Sequence, residues 1–325
     1  MMISDSHPTV SIIIVTFNSR EDILECLNSL DTLGEVSHEI YVVDNASTDG
    51  TPEVLRDYAS GKENVKLILN SENYGLAFAN NQPMQFCRGK YILILNPDTL
   101  VHRGAIRAMV DFMERFSSVG VVGPKTLWED GSPQSSYQHG WTLFHLFIWR
   151  LLPTWLPRFT YDRIISRYRQ VRVAWVSGGC LLIRRSLYKD LKGYDTNYFV
   201  VIEDVVDLCK RVRQKGFDVV FLPSATITHA GGKSSKTVKG LTAYRIYEGD
   251  IYHFFKYGGF LKASLVKFVL MGNSVLRGLV ALLLTPLNSQ KFADSSRRYF
   301  QVAKLLSRTK IRDLGGRLPV KTGLF

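Results

Sequence analysis

The chain is expected to be an α/β protein built on a doubly wound, mostly parallel sheet and ending in a helical C-terminal region. Three observations lead there. From Val10 onward, four short apolar or β-branched runs alternate with stretches that are apolar at helical spacing. A cluster of polar residues stands at or just beyond the end of each run. The charge is also unevenly divided: residues 1–230 hold 24 Lys/Arg against 25 Asp/Glu, whereas residues 231–325 hold 17 against 4. Successive β-α units give parallel strands joined by right-handed crossovers. Ligands in such open sheets sit outside the carboxyl ends of the strands.

The first run, Ser11 to Val15, is continuously apolar after Ser11, as a strand buried on both faces requires. It ends at Thr16-Phe17-Asn18. Ser19 with Asp22 three residues on has the form of a capping box, and Ile23, Leu24, Leu27 and Leu30 then recur at helical spacing. The unit repeats with Glu39 to Val43 and the segment after Asp49, with Val65 to Leu69 and the segment after Tyr74, and with Tyr91 to Leu95 and the segment after Arg103. Between about 139 and 172 an aromatic and arginine-rich stretch breaks the pattern and reads as an insertion or lid. Regular structure resumes at Val173 to Ile183. A helix is expected from Glu203 to Gln214, stopped by Gly216. Asp218 to Leu222 should form a further strand leading to Ala225 to His229, and a helical tail follows Gly231-Gly232.

Composition excludes several classes. With 325 residues, 46% of them hydrophobic and 22% charged, and with only 25 Gly and 11 Pro, the chain is neither disordered nor collagen-like. Its length allows one large domain with an appendage or two modest domains. Cys26, Cys87, Cys180 and Cys209 lie far apart, without the paired spacing of a zinc site or the density of a disulfide scaffold. A reducing, cytoplasmic setting is therefore expected. Met1 to Thr9 is polar and carries no basic segment before an apolar one, so no signal peptide and no export are expected. The basic, aromatic tail suggests an anionic partner, either phospholipid head groups or nucleic acid.

Four constellations could carry chemistry. Asn96-Pro97-Asp98-Thr99 follows an apolar strand, so Asp98 stands at the sheet's carboxyl edge. There it could bind a hard divalent cation, or it could simply cap the next helix. His229 ends a strand and is either a ligand or a hydrogen-bonded structural histidine. Glu203-Asp204 opens a helix, where acids also favour the helix dipole. Ser177-Gly178-Gly179 could admit a ligand close to the backbone or be a plain bulge.

Their company decides between these readings. Thr16-Phe17-Asn18, Asp44 to Thr51, Asn73-Tyr74-Gly75-Leu76-Ala77 with Asn80-Asn81, Asn96 to Thr99 and Gly123-Pro124 stand in one order with Trp175 to Gly179, Gly193-Tyr194-Asp195, Glu203-Asp204 and His229 to Gly232. This ordered set resembles family-2 glycosyltransferases of GT-A fold, in particular the rhamnosyltransferase-like branch, over roughly residues 10–235. The resemblance implies that Asp44 and Asn45 face the base and ribose of a nucleotide-sugar, that Thr16 to Asn18 packs on the same nucleotide, and that Asn73 and Gly75 lie near ribose and phosphates. It places Asp98 at the last acid of the metal-binding D-x-D, with Asn96 in place of the first, and His229 as a further ligand to a divalent cation, Mg2+ or Mn2+. Trp175, Gly178, Gly179 and Glu203 would border the acceptor, and Asp204 would be the general base of an inverting displacement. The family commonly reads E-D-V-D-L-C, but this chain has an additional valine in Glu203-Asp204-Val205-Val206-Asp207. Counting from Gly193 keeps Asp204 in register and displaces Asp207 by about 100°.

In the tail, Lys256, Lys262, Lys267 and Arg277 interrupt the apolar residues from Phe255 to Leu287, so no uncharged run reaches the ~18 residues of a spanning helix. On a helix they fall within about 140° of one another, with Asn273 and Ser274 in the same arc. That suits a helix lying in a membrane interface, the alternative being a core-packed helix. The expectation is thus a glycosyltransferase domain over 1–235 and a basic amphipathic helical region over 236–325. Its partners would be a nucleotide-diphosphate sugar donor, a lipid-linked or polysaccharide acceptor and the anionic inner face of the membrane, not nucleic acid. Rhamnose is the donor sugar implied by the resemblance, with a UDP-hexose as alternative. A nucleotidyltransferase is disfavoured, since a glycine-rich loop is missing after the first strand, and a non-catalytic membrane module is the third reading.

Overall fold

The structure is a computed structural model that describes residues 7–31, 36–140, 142–144, 146, 170–199, 203–231, 239–287 and 289–315, with the backbone alone at 203, 239–242, 287, 289 and 291. Strands β1 (Val10–Thr16), β2 (His38–Asp44), β3 (Val65–Leu69) and β4 (Tyr91–Leu95) lie parallel in the order β3-β2-β1-β4. Helices α1 (Arg20–Asp31), α2 (Thr51–Ala59) and α3 (Leu76–Asn81) connect them. These are the first three expected units. Every residue of β1 is buried, and alternation sends Ile12 and Ile14 to one core with Ile23, Leu27 and Leu30 of α1, while Ile13 enters the core on the other face.

Beyond β4 the sheet departs from simple winding. A short strand β5 (Thr99–Val101) precedes α4 (Ala105–Arg115), and β6 (Val119–Leu127) follows it. Between β4 and β6 runs β11 (Cys180–Arg184), antiparallel to both, so the sheet is mixed, within the mostly parallel winding that was expected. The two-residue strands β7 (Pro133–Gln134), β8 (Tyr137–Gln138), β9 (Val171–Arg172) and β10 (Trp175–Val176) are peripheral, β8 and β10 forming a separate ribbon. Residues 218–229 make one strand, β12 (Asp218–His229), bulged between Leu222 and Thr226 where two pieces were expected. Pro223 sits in that bulge, where the ladder needs no donor from it. Helices α5 (Arg185–Asp190) and α6 (Glu203–Gln214) cover the second face, where Tyr188, Leu208 and Val212 join the core around Ile13. Most of the expected insertion at 139–172, and the expected domain boundary near 235, lie outside the described residues.

The C-terminal region is a helical hairpin. Helix α7 (Lys239–Leu283) bends at Gly259, whose φ of 76° belongs to the left-handed region, and α8 (Ser289–Arg308) folds back along it. A third core of Ile251, Phe254, Val266, Leu270, Val302 and Leu306 joins them, closed by Ile311 and Leu314 of a 3-10 turn. Ala243–Leu283 is long and apolar enough to cross a membrane by length and composition alone, although Lys256, Lys262, Lys267 and Arg277 interrupt it as the sequence indicated. The sequence reading is corrected in one respect. The polar arc of α7 faces inward for the most part: Lys256 reaches the sheet domain, Lys267 the turn after α8, and Asn273 and Ser274 are buried. The outward face carries Leu261, Leu265, Phe268, Leu276, Leu279 and Leu283. Helix α8 has Asp294, Arg297, Arg298, Lys304 and Arg308 along it, and a spanning α7 would drag these into hydrocarbon.

Candidate active site at the carboxyl edge of the sheet

The ends of β1 and β2 are laced together. Thr16 pairs with Asp44, and the Thr16 carbonyl accepts the Asn45 amide at 2.9 Å. Asn18, at a φ of 50°, donates its backbone N–H to Ser47 Oγ (2.8 Å) and accepts the Thr48 amide on Oδ1 (2.9 Å). Asp44 is 1% exposed; its Oδ2 accepts the Ser47 amide at 3.0 Å, while buried Oδ1 has no partner among the described residues. A buried carboxylate oxygen left without a donor carries a large desolvation penalty. Such an oxygen is suited to receive donors from a ligand.

Asn45, expected to face base and ribose, instead uses both ends of its amide on the next loop. Its Nδ2 donates to Asn73 Oδ1 (2.8 Å) and more weakly to the Gly75 carbonyl, and its Oδ1 accepts from Asn70 Nδ2 (3.0 Å) and the Tyr74 amide (3.1 Å). Asn73 Oδ1 also accepts the Gly75 amide at 3.0 Å. These asparagines shape one wall. At Gly75 φ is 82°, and a Cβ would lie 2.9 Å from the Phe199 ring, so the turn into α3 requires glycine.

A second group gathers at the ends of β4 and β12. Strand β5 pairs antiparallel with β12, with Thr99 opposite His229, and this sets the imidazole beside Asp98. His229 Nε2 is 3.2 Å from Asp98 Oδ1 and 3.3 Å from Asn96 Nδ2. On the far side of the ring, His229 Nδ1–H donates to Gln134 Oε1 (2.9 Å), and Gln134 Nε2 returns a bond to the His229 carbonyl (3.3 Å). That pairing puts the ring proton on Nδ1 and turns the Nε2 lone pair toward Asp98, as ligating histidines are normally oriented. The separation of the two donor atoms is close to the edge of an octahedron with ~2.1 Å metal–oxygen bonds, about 3.0 Å. Asp98 and His229 therefore fit as two adjacent ligands to a hard divalent cation. Among the described residues they are a pair, with no cluster of three ligating side chains. Gln134 was not anticipated, since nothing in Ser132-Pro133-Gln134 signals a role.

Gly179 closes this group. Its carbonyl accepts the Asn96 amide (2.9 Å), and a Cβ on it would reach the His229 ring at 3.5 Å. Gly178 and Gly179, expected at the acceptor, thus adjoin the Asp98–His229 pair, with half-buried Trp175 on the β8–β10 ribbon nearby in sequence. Strands β2 and β4 flank β1, so Asp44 and Asn96 stand about 10 Å apart at ~4.8 Å per strand, the span from a nucleoside to its phosphates.

Asp204 lies in the first turn of α6 and is 1% exposed, with Oδ1 accepting the Val205 amide at 2.8 Å. Its charge acts on the interior phenols of Tyr188 and Tyr194, which burial chiefly, and Asp204 in part, push well above the ordinary tyrosine range. The side chain of Glu203 lies outside the description. Asn81 fastens this region: its Nδ2 donates to the Tyr194 carbonyl (2.8 Å), and its Oδ1 accepts from Tyr188 Oη and the Tyr194 amide (both 2.9 Å). A Cβ at Gly193 would fall 2.1 Å from that Oδ1, and φ there is 67°.

Asp207, on which the sequence placed no role, is the anchor of α6. It is 0% exposed and is held by Arg211 Nε (2.6 Å), Lys256 Nζ (2.6 Å) and Tyr257 Oη (2.7 Å). Lys256 also bonds Asp195 Oδ2 at 2.7 Å, beside Tyr252 Oη at 3.0 Å. Burial works to raise the Asp195 carboxyl, but the bonds from Lys256 and Asn197 outweigh it and hold the group below the usual range. One ammonium from α7 thus ties the hairpin to the helix that bears Asp204.

Residues 11–192 match the model of glycosyl transferase family 2. The N-acetylglucosaminyl-diphospho-decaprenol L-rhamnosyltransferase of Mycobacterium tuberculosis is 30% identical over 236 residues, 67% of this chain and 75% of its own. Glycosyltransferase AglE of Haloferax volcanii is 29% identical over 246 residues, 75% of this chain and 73% of its own. Among solved structures, the mannosyltransferase PcManGT of Pyrobaculum calidifontis, in complex with GDP-Man and Mn2+, superposes with a TM-score of 0.55 at 18% identity, covering 93% of this chain and 87% of that one. Residues 1–349 of S. aureus TarS give 0.50 at 18%, covering 93% and 92%. The fold is accordingly of GT-A type, a mostly parallel mixed sheet, and the chain belongs to glycosyl transferase family 2.

Proposed function

We propose that this glycosyltransferase is an inverting, metal-dependent rhamnosyltransferase acting on a lipid-linked acceptor in surface glycan synthesis. The observation that carries the reading is the convergence of Asp44, the Asn73–Gly75 turn, Asp98 and His229 on one edge of a family-2 domain. Asp44 Oδ1 would accept from the nucleoside, and Thr16 to Asn18 would back it. Asp98 and His229 would hold the divalent cation, which when bound neutralises charge on a diphosphate. Asp204 would take the acceptor hydroxyl proton as that oxygen bonds the anomeric carbon and the bond to the diphosphate breaks, its electron pair leaving with the diphosphate. The rhamnosyltransferase of M. tuberculosis supports the donor and acceptor class, and the PcManGT complex supports use of a divalent cation by this fold. The tail would seat the enzyme peripherally on the inner face of the membrane.

The test offers purified enzyme a panel of nucleotide-sugars with a polyprenyl-diphosphate acceptor, with and without chelator. Transfer from dTDP-rhamnose is expected, abolished by chelation and by Asp98→Ala. Asp204→Asn should lower turnover by about 10²–10⁴-fold with donor binding retained, and Glu203→Gln much less. Transfer from a UDP-hexose instead would replace the donor. Reversed effects of the two acid variants would make Glu203 the base.

A further inference from the structure

The hairpin carries a cleft that the glycosyl-transfer reading leaves unused. It lies between the far half of α7 and the turn after α8 and has a volume of about 720 Å³. Lys267, Arg308, Lys310 and Arg312 line it together with Phe260 and Phe268. Asp313 shares the rim, yet among the described residues no carboxylate comes within ion-pair distance of any of the four cations. Lys267 Nζ donates to the Thr309 carbonyl at 2.7 Å, which holds the turn in place and leaves the ammonium charge uncompensated. The Arg312 guanidinium lies 5.6 Å from the Phe260 ring centre. Four gathered cations without counter-charges among the described residues form a site for an anion.

The surroundings say which anion. Phe268 is 69% exposed and belongs to the outward apolar row of α7, in which Leu261 is 83% and Leu283 78% exposed. An apolar face of this extent is unusual on a soluble monomer, and here it runs directly into the cationic cleft. A nucleic acid would satisfy the cations and leave the leucines in water. A tail-to-tail contact with a second copy of this chain offers few acids to meet them, since residues 231–325 hold only 4. A lipid satisfies both features at once.

We propose that this cleft binds the phosphate headgroup of an anionic phospholipid, with the acyl chains lying along the outward face of α7. The proposal deepens the peripheral seating suggested above and rests on it: the polar contacts of α7 hold it to the domain, its apolar face enters the interface, and the cleft selects a negatively charged leaflet. Lys256, which holds α6, and Lys267, in the cleft, stand eleven residues apart on opposite sides of the bend at Gly259. A headgroup in the cleft would therefore be held to one side of the catalytic helix rather than in its site.

Flotation of the full-length protein with vesicles of phosphatidylcholine, with and without phosphatidylglycerol, tests this. Wild type should float with the anionic vesicles. Arg308→Gln/Lys310→Gln/Arg312→Gln should weaken that binding on the order of 100-fold, three basic residues at about 1 kcal/mol each. The charge-matched variant Arg297→Gln/Arg298→Gln/Lys304→Gln on α8 should lose about tenfold or less, and Leu265→Gln/Phe268→Gln should lose binding while keeping every cation. Equal losses from the two charge triples would reduce the effect to overall charge and overturn the site. Displacement by inorganic phosphate at matched ionic strength would mark a free-anion site, and binding of a single-stranded oligonucleotide that the cleft triple abolishes would mark a nucleic-acid surface; either result also overturns it. Circular dichroism confirms folding of each variant. Thermal protection by nucleotide-sugar, unchanged across them, separates failure of the cleft from failure of the enzymatic reading.

Discussion

Lys256→Met removes the ammonium that joins the C-terminal hairpin to α6 and keeps most of the apolar stem. Two carboxylates then lose their shared cation: Asp207, fully buried, and Asp195, whose side chain is 15% exposed. Breaking a buried ion pair from one side costs about 3–5 kcal/mol, because the remaining charge stays out of water. Asp207 keeps Arg211 and Tyr257, and Asp195 keeps Asn197 and Tyr252, so the lower end, about 3 kcal/mol, applies. For a chain of this length that is a fall in Tm of about 5 °C. Thermal unfolding of Lys256→Met, Asp207→Asn and the double variant measures it. Because Asp207→Asn removes the charge that Lys256→Met strands, the double variant should lose less than the sum by at least about 1 kcal/mol. A fall under about 1 °C for Lys256→Met, or strict additivity, would refute the latch.

Gln134→Leu takes the acceptor from His229 Nδ1 and should weaken the Mn2+ dependence of transfer about 10–100-fold, as loss of partners behind metal ligands does; Gln134→Glu should restore most of it, and an unchanged Mn2+ titration would sink the orientation argument. His253 is driven by burial, with help from Lys210, to a pKa of about 4. Since that is below the ordinary value of 6.5, the unfolded chain binds the extra proton between the two values. Stability from this group is then complete above about pH 6.5 and lost as pH falls toward 4, in all about 3 kcal/mol. The drop in Tm between those limits should shrink in His253→Phe, and parallel profiles would contradict it. Burial pushes the thiols of Cys26 and Cys209 up to about 12 and that of Cys87 to about 11, and raises Cys180 as well. A thiol reagent at pH 8 should modify none of the four in the folded protein and all four after denaturation, and rapid labelling of any native thiol would show the cores to be more open than described.

Local pattern was enough for the parallel half of the sheet. The runs at Ser11, Glu39, Val65 and Tyr91 become β1 to β4 within a residue or so, because period-2 burial and turn chemistry act over a few neighbours. Their polar ends could be located for the same reason, and Asp98 and His229 could be named from the resemblance. Three features came only from tertiary structure. The antiparallel strand β11 enters between β4 and β6 by pairing segments some 60 to 90 residues apart, which no local period records. Gln134 meets His229 across 95 residues, on a two-residue strand too short to have a pattern. The four cations of α7 could be placed on one arc by counting, but not told which way to face. An arc is a property of the helix alone; its orientation depends on which buried carboxylates and carbonyls wait opposite. Asp207, Asp195 and Thr309 draw Lys256 and Lys267 inward, and the leucines are left facing out.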